Sequence, residues 1–201
     1  MESSTTTGRA RGRPPGTTAE SHTQILDAVY ELLQERSVRD LTMEAVAKRA
    51  GVGKPTIYKW WPSKADLVMA MFQERLDTGR PPTASTDEPT SVQESVRSTV
   101  RLLVKRFNGL FGKVMAELIA EGQSDPTVLK TLDERHLRDR RAATVGAIER
   151  AQATGELPAN LDPEVFVDAI FGPLYYRLLI RNAPLTEEYG DKLVDQAFRI
   201  S

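Results

Sequence analysis

Apolar residues recur along this chain at three- and four-residue steps, and no stretch alternates apolar with polar as a half-buried strand would. Ile25, Leu26, Val29, Leu32 and Leu33 mark a first helix, with capping-box spacing at Ser21-x-x-Gln24 and an end near Arg36-Ser37. A second helix begins at Thr42. Its hydroxyl suits the orphan amides of a first turn, and Leu41 with Val46 has the spacing of a hydrophobic staple. Met43, Val46, Ala47 and Ala50 give that helix one apolar face, and Gly51 supplies the positive φ that a residue just past a helix end commonly needs. Gly51-Val52-Gly53 forms a short turn. Lys54 to Trp60 reads as a third, short helix, with Pro55 tolerated because it falls in the first turn. Pro62-Ser63 breaks the chain again, and Ser63-x-x-Asp66 caps a fourth helix bearing Leu67, Val68, Met71 and Phe72.

Residues 1–18 are Gly, Pro, Thr, Ser and Arg without apolar periodicity and read as a disordered basic arm. The segment from Gly79-Arg80-Pro81-Pro82 through Pro89 separates two modules, 19–78 and 79–201. Beyond it five helical stretches are expected, over roughly 90–110, 112–122, 126–153, 162–181 and 186–200. The fold class is all-α. The stretch 162–181 is apolar on two faces: Phe166, Ile170, Leu174 and Arg177 on one, Val165, Ala169, Gly172, Tyr176 and Leu179 on the other. A helix of that kind contacts both its own core and a partner. The final helix adds Leu193, Val194, Ala197 and Phe198. The pattern therefore predicts a homodimer interface on the last two helices, through Val165, Ala169, Gly172, Tyr176, Leu179, Val194 and Phe198. Gly172 permits close approach there, and Pro173 is expected to kink the helix.

Composition narrows the chemistry. No apolar run reaches 18 residues, so no membrane span is expected, and the N-terminus lacks the apolar core of a secretory signal; a cytoplasmic location is the expectation. With no cysteine and only His22 and His136, the chain lacks thiolate chemistry and most of what a metal site needs. The Glu134, His136 and Asp139 group lies in a run of mixed charges and reads as a solvated, salt-bridged helix face. Neither a phosphate-cradling Gly-rich loop nor a nucleophile in a recognisable setting is present, so no enzyme, cofactor or metal is expected. The net charge of −1 hides an asymmetry: residues 1–80 hold 12 Lys/Arg against 10 Asp/Glu, whereas 81–201 hold 15 against 18. From Lys48 to Ala65 stand five basic residues (Lys48, Arg49, Lys54, Lys59, Lys64) and no acidic one, and Arg9, Arg11 and Arg13 form a second cluster. Such local fields, rather than global charge, set nucleic-acid affinity.

Two helices joined by a three-residue, Gly-containing turn make a helix-turn-helix, in which the second helix offers its N-terminal half to base edges while the first braces it across the backbone. The run LTMEAVAKRAGVGKPTIYKWWPSKADL, Leu41 to Leu67, resembles the DNA-binding signature of the TetR/AcrR family. That resemblance implies a homodimeric regulator, most often a repressor, whose helical C-terminal domain binds a small-molecule effector. It also implies roles at a double-stranded DNA operator. Thr42 would meet a phosphate, act as a helix cap, or do both. Lys54, Pro55 and Thr56 open the recognition helix, and Lys59 faces a guanine edge. Tyr58 and Trp60 lie along the sugar-phosphate backbone, with core packing the competing role for Trp60, and Lys64 grips a further phosphate. Gly53 stands where the family often has Ser, which removes one hydroxyl. Arg11-Gly12-Arg13-Pro14 resembles the core of an AT-hook, suited to a narrow minor groove. An effector pocket would be walled by Phe107, Phe111, Met115, Phe166, Ile170 and Tyr175, with Arg177 and Tyr175 as polar groups; the alternative for each apolar position is plain core. A competing class is an interaction protein whose helix-turn-helix is vestigial, against which the intact Lys54–Lys64 segment argues.

Overall fold

A computed structural model of the chain describes residues 18–77 and 91–200; Arg11, Arg13 and the loop between the expected modules lie outside the described residues. Within them the structure is helical throughout: α1 (Thr18–Glu35), α2 (Met43–Ala50), α3 (Lys54–Tyr58), α4 (Lys64–Asp77), α5 (Val92–Phe107), α6 (Leu110–Gly122), α7 (Pro126–Leu132), a π-helical segment (Asp133–Leu137), α8 (Arg138–Ala153), α9 (Pro163–Ile180) and α10 (Glu187–Ile200). α1 begins at Thr18 rather than near Ser21, and Gln24 donates to Glu20 instead of closing a capping box.

The first four helices close on Ile25, Val29, Leu33, Val38, Val46, Ile57, Leu67 and Val68, all fully buried. α1 packs on α2 and α4, and the remaining helices form a second body in which α10 lies along α5 and α8 along α9. Arg97 and Arg101 of α5 fasten α10 through Asp195 (2.7 Å) and Asp191 (2.8 Å), the latter held below the usual carboxylate range chiefly by its hydrogen bond from Arg101. Gly112 is required by the tight α5–α6 turn: a Cβ there would stand 1.9 Å from the Phe107 carbonyl oxygen.

The two bodies meet through polar contacts from α6 and the π segment. The Val38 N–H donates to Glu117 Oε2 (2.6 Å), Lys64 of α4 pairs with Glu121 (3.3 Å), and Lys113 Nζ donates to the Arg36 carbonyl (3.2 Å). Lys113, Glu117 and Glu121 lie four residues apart, hence on one face of α6. Arg135 of the π segment pairs with Asp66 (3.2 Å), and Gln73 of α4 donates to the Arg135 carbonyl. Phe72 of α4 meets Phe111 edge-on, with ring centroids 5.1 Å apart.

Several expected surface and pocket assignments change. Val194, expected at the dimer interface, is fully buried in the chain's own core, and Phe198 is partly buried against Phe166. Phe166 therefore pairs with α10, whereas Phe107 and Phe111 gather with Phe72, His136 and Tyr175. Phe107, Phe111, Met115, Phe166 and Ile170 are all core residues, and of them Phe107, with Arg177, borders a cleft of about 320 Å³ and Phe111 one of about 380 Å³. The mixed-charge run is salt-bridged as expected, through Arg138 to Asp133 (2.8 Å) and Arg141 to Asp168 (2.5 Å), but His136 is not on that solvated face. The π segment turns it into the core, 6% exposed.

Candidate nucleic-acid interface

The turn between α2 and α3 is built by local chemistry. Thr42 is the N-cap of α2: its backbone is extended, and its hydroxyl accepts from the Ala45 N–H (3.2 Å). A hydroxyl in that bond keeps an acceptor lone pair and its own donor, and Thr42 is exposed, so capping and a phosphate contact are compatible. Gly51 ends α2 at φ +68°, its N–H bonding back to the Ala47 and Lys48 carbonyls. That left-handed conformation is where glycine is favoured over L side chains. Gly53 caps α3 without any side-chain hydrogen bond, and Pro55 stands in the first turn, where its missing N–H costs nothing.

α3 is only five residues long, yet its backbone continues turning: the Trp60 and Trp61 N–H groups both donate to the Ile57 carbonyl at 3.0 Å. Ile57 and Trp61 anchor this unit from below, at 0% and 4% exposure. Lys54, Pro55, Tyr58, Lys59 and Trp60 stand on the outer side, with Thr56 half-buried. Trp60 has both a packed and an open face. Its ring meets His22 edge-on at 5.2 Å, while it remains 38% exposed. His22 also lies 4.9 Å from the Trp61 ring, with Nδ1 3.6 Å from Glu74 Oε2. The start of α1 thus braces the end of the recognition unit, a role for His22 that no local pattern signalled.

The charge along Lys48–Lys64 is largely compensated once the chain folds. Arg49 is forked between Glu31 (3.1 Å) and Glu35 (3.0 Å) of α1; its hydrogen bonds pull Glu35 below the usual carboxylate range and push Arg49 up. Lys54 pairs with Glu44, and their hydrogen bond raises the lysine and lowers the carboxylate. Lys64, expected at a phosphate, points inward to the Val38 carbonyl and to Glu121 at 3.3 Å. Among the described residues, Lys48 and Lys59 make no ion pair and keep their full charge for an external anion. Of the two, Lys59 alone lies on the recognition unit. An exposed short helix carrying hydroxyl, phenol, indole and one uncompensated ammonium fits a major groove about 12 Å wide.

Comparison with known proteins agrees with this geometry. Residues 25–71 match the model of bacterial regulatory proteins of the tetR family, and residues 88–197 match the tetracyclin repressor-like C-terminal domain. The HTH-type transcriptional regulator YdeS of Bacillus subtilis is 38% identical over 191 residues, covering 95% of this chain and 92% of that protein. The DNA-binding transcriptional repressor TetR of Mycobacteroides abscessus is 26% identical, covering 88% of this chain and 90% of that protein. Among solved structures, the TetR family transcription regulator SCO0332 superposes with a TM-score of 0.71 at 30% identity, over 90% of this chain and 97% of that one. FadR of Bacillus subtilis, solved in complex with stearoyl-CoA, shares the fold at a TM-score of 0.69 and 19% identity, over 88% of this chain and 97% of that one. The chain belongs to the TetR family, and it is a DNA-binding transcriptional regulator rather than an enzyme.

Proposed function

We propose that the chain acts as a homodimeric repressor that leaves its operator when a small molecule binds the helical body, residues 79–201, while residues 19–78 hold the DNA. The observation that carries the dimer is the outer stripe of α9. Val165 (63% exposed), Ala169, Gly172, Tyr176 (54%), Leu179 and Ile180 succeed one another at helical spacing on one face. A Cβ built on Gly172 would meet nothing within 4 Å, so the middle of the stripe is open to another helix. A contiguous apolar stripe of this kind marks an association surface, and a two-fold pair of α9 helices is self-complementary. A recognition helix of five residues also needs a second copy to reach useful affinity and specificity.

On the operator, Lys59 contacts a guanine edge, Lys54, Pro55 and Thr56 enter the groove, Tyr58 and Trp60 lie on the backbone, and Thr42 meets a phosphate through the N-terminus of α2. Arg11 and Arg13 reach the neighbouring minor groove. His22 supports this last assignment, because it seats the start of α1, where the arm joins, against Trp60. No helix among the described residues is long and apolar enough to cross a membrane, and a cytoplasmic site of action suits the role.

The decisive experiment measures mass in solution beside operator binding. Tyr176→Arg should convert a dimer to a monomer and abolish tight operator binding while the chain stays folded. A wild-type chain that is monomeric at operator-binding concentrations would refute the proposal. Removing residues 1–16 should weaken binding and flatten its salt dependence; unchanged affinity and slope would dismiss the arm.

A further inference from the structure

One cleft of the helical body is bordered by three cations and, among the described residues, by no carboxylate. It encloses about 320 Å³ between the α5–α6 turn and the end of α9, a size that suits a small molecule. Lys113, Arg177 and Arg181 line it beside the apolar Phe107, Leu178 and Leu185. The partners of these cations are neutral. Lys113 Nζ donates to the Arg36 carbonyl and Arg177 to the Pro184 carbonyl, with the Arg177 guanidinium 3.3 Å above the Tyr189 ring. Arg181 is exposed and has no partner among the described residues. Carboxylates on neighbouring helices are committed elsewhere: Glu117 to the Val38 N–H, Glu188 to Lys192, and Asp191 to Arg97 and Arg101.

The α9–α10 loop holds these groups around the cleft. Its Pro184 carbonyl takes Arg177, and the next carbonyl, Leu185, takes the Asn108 side-chain amide at 2.8 Å. Two consecutive carbonyls therefore keep the Arg177 guanidinium beside the α5–α6 turn. Arg181 follows one helical turn after Arg177, and its N–H closes that turn on the Arg177 carbonyl at 3.0 Å. Its backbone is left-handed, at φ 54°, the one non-glycine residue with positive φ among those described. A helix end of this kind commonly carries glycine or asparagine. An arginine that adopts it, with no partner to hold it there, is strain that the fold does not require, and such strain gathers at functional sites.

We propose that this cleft is the effector site, and that the effector is a small organic anion with more than one negative charge and an apolar end. Its charged groups lie among Lys113, Arg177 and Arg181, and its apolar end rests on Phe107, Leu178 and Leu185. Three positive charges with no carboxylate favour a dianion over a monoanion or a neutral molecule, and guanidinium groups fit planar or tetrahedral oxyanions through paired N–H donors. Lys113 connects the cleft to the DNA-binding helices. Its ammonium holds the Arg36 carbonyl, just past the end of α1. An oxyanion is a stronger acceptor for that ammonium than an amide carbonyl, so binding undoes one of the bonds that join the two bodies. The proposal rests on the reading that a small molecule controls operator binding, and it names that molecule's class and place.

The test uses the full-length chain with phenyl phosphate and phthalate as dianions, benzoate as a monoanion and benzamide as a neutral control. Binding is read by calorimetry at fixed ionic strength, and operator release by duplex anisotropy. At least one dianion should bind, with benzoate and benzamide weaker by about tenfold or more. Arg181→Gly should weaken that dianion by about tenfold, yet leave the thermal midpoint of the unliganded chain unchanged or raised, because glycine suits a φ of 54°. Lys113→Met should weaken it too, and the operator affinity of that variant should no longer respond to it. Failure of both dianions to bind, or binding indifferent to both substitutions, overturns the proposal. A lower unliganded midpoint in Arg181→Gly does so as well, since it would make the arginine structural. A salt slope of operator affinity shallower by about 0.9 in that variant would assign Arg181 to an operator phosphate, and would also overturn it. Benzamide that binds and releases the operator would sink the proposal while leaving effector control intact. A dianion that binds through both residues without releasing the operator would keep the site and remove effector control.

Discussion

Lys64 separates two accounts of the basic segment, and its removal gives a number for each. Its ammonium donates to the Val38 carbonyl at 2.9 Å and lies 3.3 Å from Glu121, with the two side chains 24% and 35% exposed. Lys64→Met keeps the aliphatic stem and removes the charge. A hydrogen bond from a charged donor contributes about 1.5–3 kcal/mol, but two features lower that here. The Val38 carbonyl also accepts from the Leu41 N–H at 3.2 Å, so it is not orphaned, and Glu121 can hydrate. A partly exposed ion pair adds under about 1 kcal/mol. The expected loss is about 1 kcal/mol, a fall of roughly 2–4 °C in the thermal midpoint for a chain of this size. Each phosphate neutralised by a cation contributes about 0.9 to the slope of log affinity against log salt. An inward Lys64 therefore predicts a lower midpoint with an unchanged salt slope. Thermal melts and salt titrations of an operator duplex, with wild type and variant side by side, measure both. A slope shallower by about 0.9 with an unchanged midpoint would place Lys64 on a phosphate and refute the inward assignment.

Gly53→Ser should stabilise the chain by roughly 1 kcal/mol in urea melts: φ −78° and ψ 146° suit any residue, the new Cβ would meet Pro55 Cδ at 3.5 Å, and Ser adds a cap while restricting the unfolded chain. A loss of stability would mean that the recognition turn needs glycine. His136 makes the fold acid-sensitive. Burial disfavours its protonated form, and Arg140 and Arg106 add to this, so its folded value of about 4 lies below the ordinary 6.5. The unfolded chain then binds the extra proton as pH falls through 6.5, and stability drops by about 3 kcal/mol by pH 4. His136→Leu should remove that part of the pH dependence, and identical slopes for both chains would contradict it. Arg135→Ala loosens α4 from the π segment by removing the ion pair to Asp66 while keeping the Gln73 bond to the backbone carbonyl, and should leave effector affinity within about twofold while blunting operator release. Loss of affinity instead would make Arg135 part of the binding site.

How far the sequence reveals the structure depends on the range of the interactions. The α2–turn–α3 unit rests on Thr42, Gly51 and Pro55, each acting within four residues, and its pattern is legible from the residues alone. The expected helices 162–181 and 186–200 appear at Pro163–Ile180 and Glu187–Ile200, because their caps and breakers are local. Charge misleads for the opposite reason. The five basic residues are close together in sequence, but the carboxylates that compensate three of them come from α1, α2 and α6. The expected helix 126–153 has the right extent, yet the π segment inside it leaves no trace in the pattern. One extra residue in a turn changes no cap and no breaker, only the direction in which the later side chains point. His136 therefore reads as part of a solvated charged face, although the turn sends it into the core. Val194 shows a further limit: periodicity finds an apolar face but does not say whether the chain or its twin covers it.

The proposed function turns on Lys59 and its neighbours on α3 reading a two-fold operator. Selection from a random duplex library with the full-length chain, at stated salt and repeated with Lys59→Ala, is the sharpest check of that role. Wild type should enrich a palindrome with half-sites about one helical turn apart, roughly 34–36 Å or a multiple of it. In the variant, one base position in each half-site should lose its preference while the others keep theirs. No palindrome, or a variant that weakens every sequence equally, would contradict it.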